Sequence, residues 1–501
     1  MQVDSQQLFF LKFLLNTFAS SVGLKVNYKK SQILPINVSP EKMQHLAMTF
    51  GCSVGSLPFT YLGLPMGTTK PRMEDLTPLM DRVERRLSGC ATWLSYSGRL
   101  QMINSAISPI VTYTMCTIKL PKGVIENFDR IRKQCLWRGN SDKKRGGNLV
   151  AWEQVQQPKK KGGLGAINLR LQNDALLLKH LHKFFNHEDV PWVHLIWFKY
   201  CQQKVPHTSR EVGSFWWKDI FRLNNLYRSI SQCTVGNGGT VCFWEDRWLT
   251  NILTNKYPRL ASYSLSPSIS VQEIMEAVDL DNIFFLPLSQ QALEEMETLK
   301  LELQNVPYEE DTYDQWKPFQ GTGYSSKKFY DFAFSTVQAG TIFSQIWKSK
   351  CTPRIKFFIW LVLIDRLNTK FMLTRRHITF QGDNTCVLCT TGADETIDHL
   401  FFNCPFAGLC WTKISFNWDL TLNLEDRILQ GTNNFGLDFS MEAAMIAAWE
   451  LWKIRNDRVF SRGNPTVSRW FCNFKNQCLL HTVRFKADLR SAFCSWLDAF
   501  S

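Results

Sequence analysis

The feature that most constrains this chain is the segment from Cys386 to Cys404, in which Cys386, Cys389, His399 and Cys404 form a C-x2-C-x9-H-x4-C arrangement. A tight turn over Cys386-Val-Leu-Cys389 brings two thiolates onto one metal ion, and Gly392 then lets the chain reverse. Glu395-Thr396-Ile397-Asp398 reads as the acidic first turn of a short helix carrying His399, with Cys404 past its end and Pro405 stopping it. Three sulfurs and one imidazole make a closed tetrahedral shell, the arrangement of a structural zinc site without an open catalytic position. Cys410 lies near and could take the place of Cys404, but Cys404 fits the helix end better. The competing reading is coincidence, since a chain with 15 cysteines will sometimes place four ligands close together.

A length of 501 residues allows two to four domains, and 45% hydrophobic residues with 18 Trp and 36 Phe mark a globular chain. A formal net charge of +14 points to a polyanionic partner, RNA or DNA, with an inert basic surface as the alternative. The opening MQVDSQQLFFLKFLL has an acidic residue early and a lysine inside its apolar run, so no signal peptide is expected. The most apolar later stretch, Ile355 to Ile364, is too short to span a bilayer and reads as a buried helix. An intracellular protein, nuclear or cytoplasmic, with reduced cysteines and no membrane segment is the expectation.

Along the chain, residues 6–22 place Leu8, Leu11, Leu15 and Phe18 on one helical face, and Gly23 ends that helix. Ser39-Pro40-Glu41 opens a second helix with a serine cap and proline at the first position. Between Lys119 and Lys183 fifteen lysines and arginines face five acidic residues, and the runs Lys143-Lys144-Arg145 and Lys159-Lys160-Lys161 lie near glycines. These six side chains are the candidate nucleic-acid contacts, with Trp137 and Trp152 interleaved as bases' stacking partners. A solvated basic surface over two buried tryptophans is the alternative. Cys233-Thr234-Val235 and Thr240 to Trp244, joined by Gly236-Asn237-Gly238-Gly239, read as a β-hairpin and not as a phosphate loop. Residues 250–312 read as a linker region with one amphipathic helix, and Met441 to Phe460 as one long helix.

Several separated stretches carry a resemblance. GLKVNYKKSQI from Gly23, FTYLGLPMG from Phe59, Ser97-Gly98-Arg99-Leu100, Lys161-Gly162-Gly163-Leu164-Gly165, and CVLC…DHLFFNC with Trp347, Pro353, Lys356, Phe357 and Trp360 upstream all contribute. Together they resemble the C-terminal part of plant LINE-type, non-LTR retrotransposon reverse transcriptases, with their zinc-binding domain, from about residue 6 to about residue 460. The resemblance implies a mainly α fold with small β elements (α+β). Its parts would be a truncated palm end over 1–70, a helical thumb-like basic region over 71–200, and a linker region with a β-hairpin over 201–335. A zinc-binding domain over 336–425 and a C-terminal helical segment over 426–501 would follow. In that family, polymerisation needs a first palm aspartate and a Tyr/Phe-Ala-Asp-Asp hairpin whose carboxylates hold two metal ions. Asp4 is a lone carboxylate and no Asp-Asp pair occurs in the sequence, so no catalytic residue and no enzyme activity are expected. About 40 residues follow the long helix, too few for the ribonuclease H domain of some relatives.

The expected function is therefore zinc-dependent binding of RNA or DNA without strong sequence preference, by a catalytically incomplete retrotransposon-derived protein. Two alternatives stand beside it. One is a structural or protein-interaction module whose zinc domain docks on a protein partner. The other is a polymerase fragment active only with a palm supplied in trans.

Overall fold

The computed structural model describes residues 4–87, 93–138, 147–201, 213–277, 279–321, 323–378, 380 and 382–500. The chain is mainly α, with three two-stranded sheets among the described residues. It divides into two compact units. The first comprises Met1–Asp81, Tyr113–Val124 and Asn173–Ser326, and the second Arg82–Thr112, Ile125–Gln172 and Lys327–Ser501.

In the first unit, Asp4 caps helix Ser5–Ser21 by accepting from the Gln6 amide, and helix Pro40–Phe50 packs against it. Their contact is a small core of Leu8, Leu46 and Phe50, backed by Leu15, Tyr28 and Ile33. The face expected from Leu8, Leu11, Leu15 and Phe18 is only partly the buried one. Leu8 and Ala19 are buried, whereas Leu11 is 39% and Phe18 63% exposed. The helix is apolar nearly all round, so periodicity alone does not choose a face. Among the described residues, the packing on it covers one stripe and leaves Phe9, Phe10, Phe13 and Leu14 exposed.

The glycine-rich turn does not make a hairpin. Strand Ser231–Thr234 pairs antiparallel with Gln315–Lys317, Cys233 opposite Trp316, while Thr240 to Trp244 forms only an isolated bridge from Cys242 to Ser270. The reason is Asp314, buried at 1% exposure. Its carboxylate accepts from the amides of Gly236 (2.9 Å), Gly238 (2.8 Å) and Thr240 (2.8 Å) and from the Thr240 hydroxyl (2.7 Å). A side chain at position 236 would put its Cβ 2.4 Å from the Thr312 carbonyl oxygen, and Gly238 has φ +68°. The glycines let the backbone wrap a carboxylate that the sequence places 74 or more residues away. The stretch read as a linker is also packed: Leu253, Leu260, Val271, Ala292, Met296 and Leu299 are buried along three short helices and the helix Gln290–Leu303.

In the second unit, helix Pro353–Leu363 is the centre, with seven buried residues including Phe357 to Val362. It packs on helix Tyr96–Met102 and on the 21-residue helix Ser440–Phe460. Helix Val467–His481 packs on the far end of that layer, with Trp470 and Phe474 fully buried. The Trp360 indole donates to the Gly162 carbonyl (2.9 Å), which ties the Lys159–Lys161 turn into this core.

Two expectations follow for the first unit. Asp314→Ala orphans four donors at once and should lower its stability by about 2–5 kcal/mol in chemical unfolding, with Asn less harmful. His187 is stacked between Trp197 (4.3 Å) and Tyr313 (4.0 Å), and burial lowers its pKa to about 4. The unfolded chain then binds the extra proton first, so His187 should cost stability as pH falls from about 6.5 towards 4. Unfolding midpoints of His187→Gln across that window should show a weaker acid dependence than the parent.

Candidate metal centre

The metal segment is a knuckle followed by two helical turns. The Cys386 amide donates to Ala393 (2.9 Å) and the Glu395 amide to Asn384 (2.8 Å), closing a small loop around Cys386 and Cys389. Gly392 takes φ +72° at its reversal, a conformation that costs glycine little. The next helical turn starts at Ile397, with the Thr396 hydroxyl accepting from the His399 amide (3.0 Å). Its part His399–Asn403 is wound as a π-helix, so the Cys404 amide donates to the His399 carbonyl (2.7 Å) across five residues. That wider turn sets the imidazole and the last thiol on the same side. Pro405 ends this turn but also opens the next helix, Pro405–Lys413, with Cys404 at its cap position.

Glu395 departs from its expected place. It is not in a solvated first turn but fully buried, where it receives Arg455 of the long helix through Nη2 (2.5 Å) and Nε (3.1 Å). It also accepts from the Lys370 amide (2.9 Å). The nearest guanidinium, from an element 60 residues away, outcompetes water for it. Asp398 stays at the surface and pairs with Arg427.

The four ligand atoms of Cys386, Cys389, His399 and Cys404 all lie within 4.8 Å of one another. Cys389 Sγ is 3.3 Å from His399 Nε2, and Cys386 Sγ is 4.0 Å from Cys404 Sγ. Tetrahedral bonds of about 2.3 Å to sulfur and 2.0–2.1 Å to nitrogen imply edges of about 3.8 and 3.6 Å, so the donor set fits such an ion with small adjustments. The Cys404 thiol is lowered to about 5, first by the Cys386 thiol donating to it and then by the amides of Ala407 and Phe406 at the helix start. The same contact, with burial, pushes Cys386 up as the protonated partner. Cys410 is buried inside helix Pro405–Lys413, outside the cluster, and burial raises its pKa. The described cysteines are free thiols.

Lys143, Lys144 and Arg145 lie outside the described residues. Lys161 donates to the Val337 carbonyl (2.6 Å), and Lys159 sits 4.7 Å over the Trp347 ring with its pKa lowered by burial. Lys160 is exposed. Trp137 and Trp152 are 7% and 3% exposed, so neither is free to stack on a base. Both pack in the second unit, Trp152 under the Arg132 guanidinium at 5.2 Å. The aromatic groups exposed in this unit include Trp93, at 91%, and Tyr96, at 38%. Among the described residues no helix is long and apolar enough to cross a membrane.

Comparison with known proteins bears on the same segment. Residues 324–411, which contain all four ligands, match the family described as zinc-binding in reverse transcriptase. The chain is also 24% identical over 430 residues to a protein of Arabidopsis thaliana named as a ribonuclease H protein, over 78% of this chain and 65% of that protein. It thus spans less than two thirds of that relative's length.

Removing the buried partner of Arg455 should unseat the segment. Glu395→Ala should cost about 3–5 kcal/mol in unfolding free energy, because it strands a buried cation. A cost no larger than that of an exposed pair would show that the ion pair is not what holds the segment in place.

Proposed function

We propose that this chain is a retrotransposon-derived, LINE-type protein of plant origin that binds RNA or DNA through a zinc-stabilised C-terminal half and does not polymerise by itself. The observation that carries this reading is the Cys386, Cys389, His399, Cys404 cluster lying inside the segment that matches the reverse-transcriptase zinc family. Zinc is favoured because three thiol donors and an imidazole in a closed shell leave no open coordination position, which suits a structural ion. Cys386, Cys389 and Cys404 would bind as thiolates and His399 through Nε2, and the ion would lock the knuckle onto the two helical turns. The net charge of +14 supports a polyanion as partner, held by electrostatics that carry no sequence information. The lack of any Asp-Asp pair in this sequence supports the absence of polymerase chemistry in this chain.

A second reading is favoured by one observation. Phe9, Phe10, Phe13, Leu14 and Phe18, all 63–65% exposed on one helix, are what a missing neighbour would cover. This suits a fragment that becomes a polymerase only when a separate palm is supplied. A primed-template assay with and without an added palm fragment tests it.

The leading reading predicts close to one zinc per purified chain, lost in Cys386→Ser and His399→Ala together with thermal stability. It further predicts that affinity for a random-sequence oligonucleotide falls at least tenfold between about 50 and 200 mM salt and differs little between unrelated sequences. A folded, zinc-loaded chain that binds no oligonucleotide at low salt would overturn the nucleic-acid assignment and leave protein interaction.

A further inference from the structure

The second unit contains a cavity of about 440 Å3 that lies outside the four-ligand cluster. Its size is within the ~300–1,000 Å3 of small-molecule sites. Three elements wall it: the start of helix Tyr96–Met102, the first turns of helix Pro353–Leu363, and the middle of helix Ser440–Phe460. Their contributions are flat and aromatic. Tyr96 stacks parallel on Phe357 (5.5 Å between centroids, 10° between planes), and Phe358 meets Trp449 edge-on at 5.1 Å and Trp452 at 6.2 Å.

Set against these walls are the guanidinium groups of Arg354 and Arg366, with Arg99, which donates to the Leu136 carbonyl (3.4 Å), beside them. Arg354 is exposed and lies 5.1 Å over the Trp449 ring. Arg366 donates to the Asp365 carbonyl (2.9 Å), while the Asp365 carboxylate is itself bonded to Arg375 (2.7 Å). No carboxylate is among the described lining residues, and the nearby Glu395 is taken by Arg455. The site therefore offers apolar π-surface together with positive charge from Arg354 and Arg366, neither of which meets a carboxylate among the described residues. Asn368, whose side-chain oxygen accepts from Arg376 (3.3 Å), adds an amide donor at the same wall.

We infer that this cavity binds an unpaired nucleobase together with its phosphate. A planar heterocycle is what stacked aromatic walls select, and a covalently attached anion is what the guanidinium groups select. An apolar peptide side chain would satisfy the walls and leave Arg354 and Arg366 without an anion. A free inorganic anion would do the reverse. The same chemistry is offered by a free nucleotide and by one residue of a single strand. That the base belongs to a strand rests on the function proposed above; that the cavity accepts a nucleotide does not.

The test is calorimetric titration of the full chain with AMP, adenosine and the hexamer (dA)6, on the parent, Arg354→Ala and Tyr96→Ala. Unfolding midpoint and metal content serve as controls for folding, and Arg354→Ala, an exposed position, carries the test if Tyr96→Ala does not fold. AMP should bind, each variant should weaken it about tenfold, and Arg354→Ala should erase the preference for AMP over adenosine. Weakening of (dA)6 by the same variants assigns a strand as the source, while an effect on AMP alone assigns a free nucleotide; both support the cavity. No AMP binding, or binding indifferent to both variants, overturns the inference, even if (dA)6 still binds and the nucleic-acid function stands. AMP binding lost in the variants, with no affinity for any oligonucleotide, upholds the cavity and overturns that function instead.

Discussion

The second unit depends on one buried ion pair, Glu395 with Arg455. Both side chains are nearly inaccessible, at 0% and 4% exposure, so neither charge can fall back on water. Two charges in such a place are tolerable only when their remaining hydrogen-bonding capacity is used. Here it is: Glu395 also takes the Lys370 amide, and the Arg455 guanidinium packs 4.9 Å over the Trp452 ring and donates to Asn456. The pair fixes the register between a segment with little regular structure, residues 384–404, and a 21-residue helix. A metal ion would close the same segment from within. The knuckle is thus held at two points, one ionic and one coordinative, and either constraint alone would leave the other's partners loosely placed.

The same helix serves two neighbours. Arg455 anchors the metal segment, while Trp449 and Trp452, six and three residues earlier, wall the cavity. Helical spacing makes this possible, since residues three apart share a face and the arginine lies over the second tryptophan. A shift of the metal segment would therefore move the arginine, and with it the ring beneath. The first unit solves its own buried-charge problem differently. Asp314 uses backbone and hydroxyl donors rather than a cation, so its geometry depends on glycines that let the amides converge.

Local spacing made the cluster of Cys386, Cys389, His399 and Cys404 legible in the sequence, because two cysteines, a histidine and a third cysteine within one turn-rich segment lie close enough to converge. Capping residues likewise marked helix starts such as Pro40–Phe50, and the unbroken apolar run marked the buried Pro353–Leu363. What stayed hidden was long-range. Cys233 pairs with Trp316 because Asp314 captures the intervening turn, and no local pattern announces a carboxylate so far along the chain. The burial of Glu395 was hidden for the same reason, its partner being 60 residues on. Helix Ser5–Ser21 shows a different limit: apolar residues on every side give periodicity nothing to choose between. Trp137 and Trp152 were open to both readings, and packing against Tyr96, Phe357 and Arg132 decided for the core.

These placements change where affinity for a polyanion would come from. Of the triple lysine, Lys161 donates to a carbonyl and the exposed Lys159 lies over an indole, so two of the three ammonium groups already have a partner within the fold. The surplus of fourteen positive charges would attract a polyanion over a distance, whatever any one lysine contacts. Diffuse charge gives attraction that salt screens readily and that holds no particular geometry. Fixed geometry requires groups held in place by packing, and at the cavity of the second unit the buried Phe357 and Phe358 rings are such groups. Stacking contributes roughly 1–3 kcal/mol per base and is nearly indifferent to salt. A chain built this way would be drawn to nucleic acid by its overall charge and positioned on it by very few residues, which is why single substitutions at the cavity should tell more than removal of any one lysine.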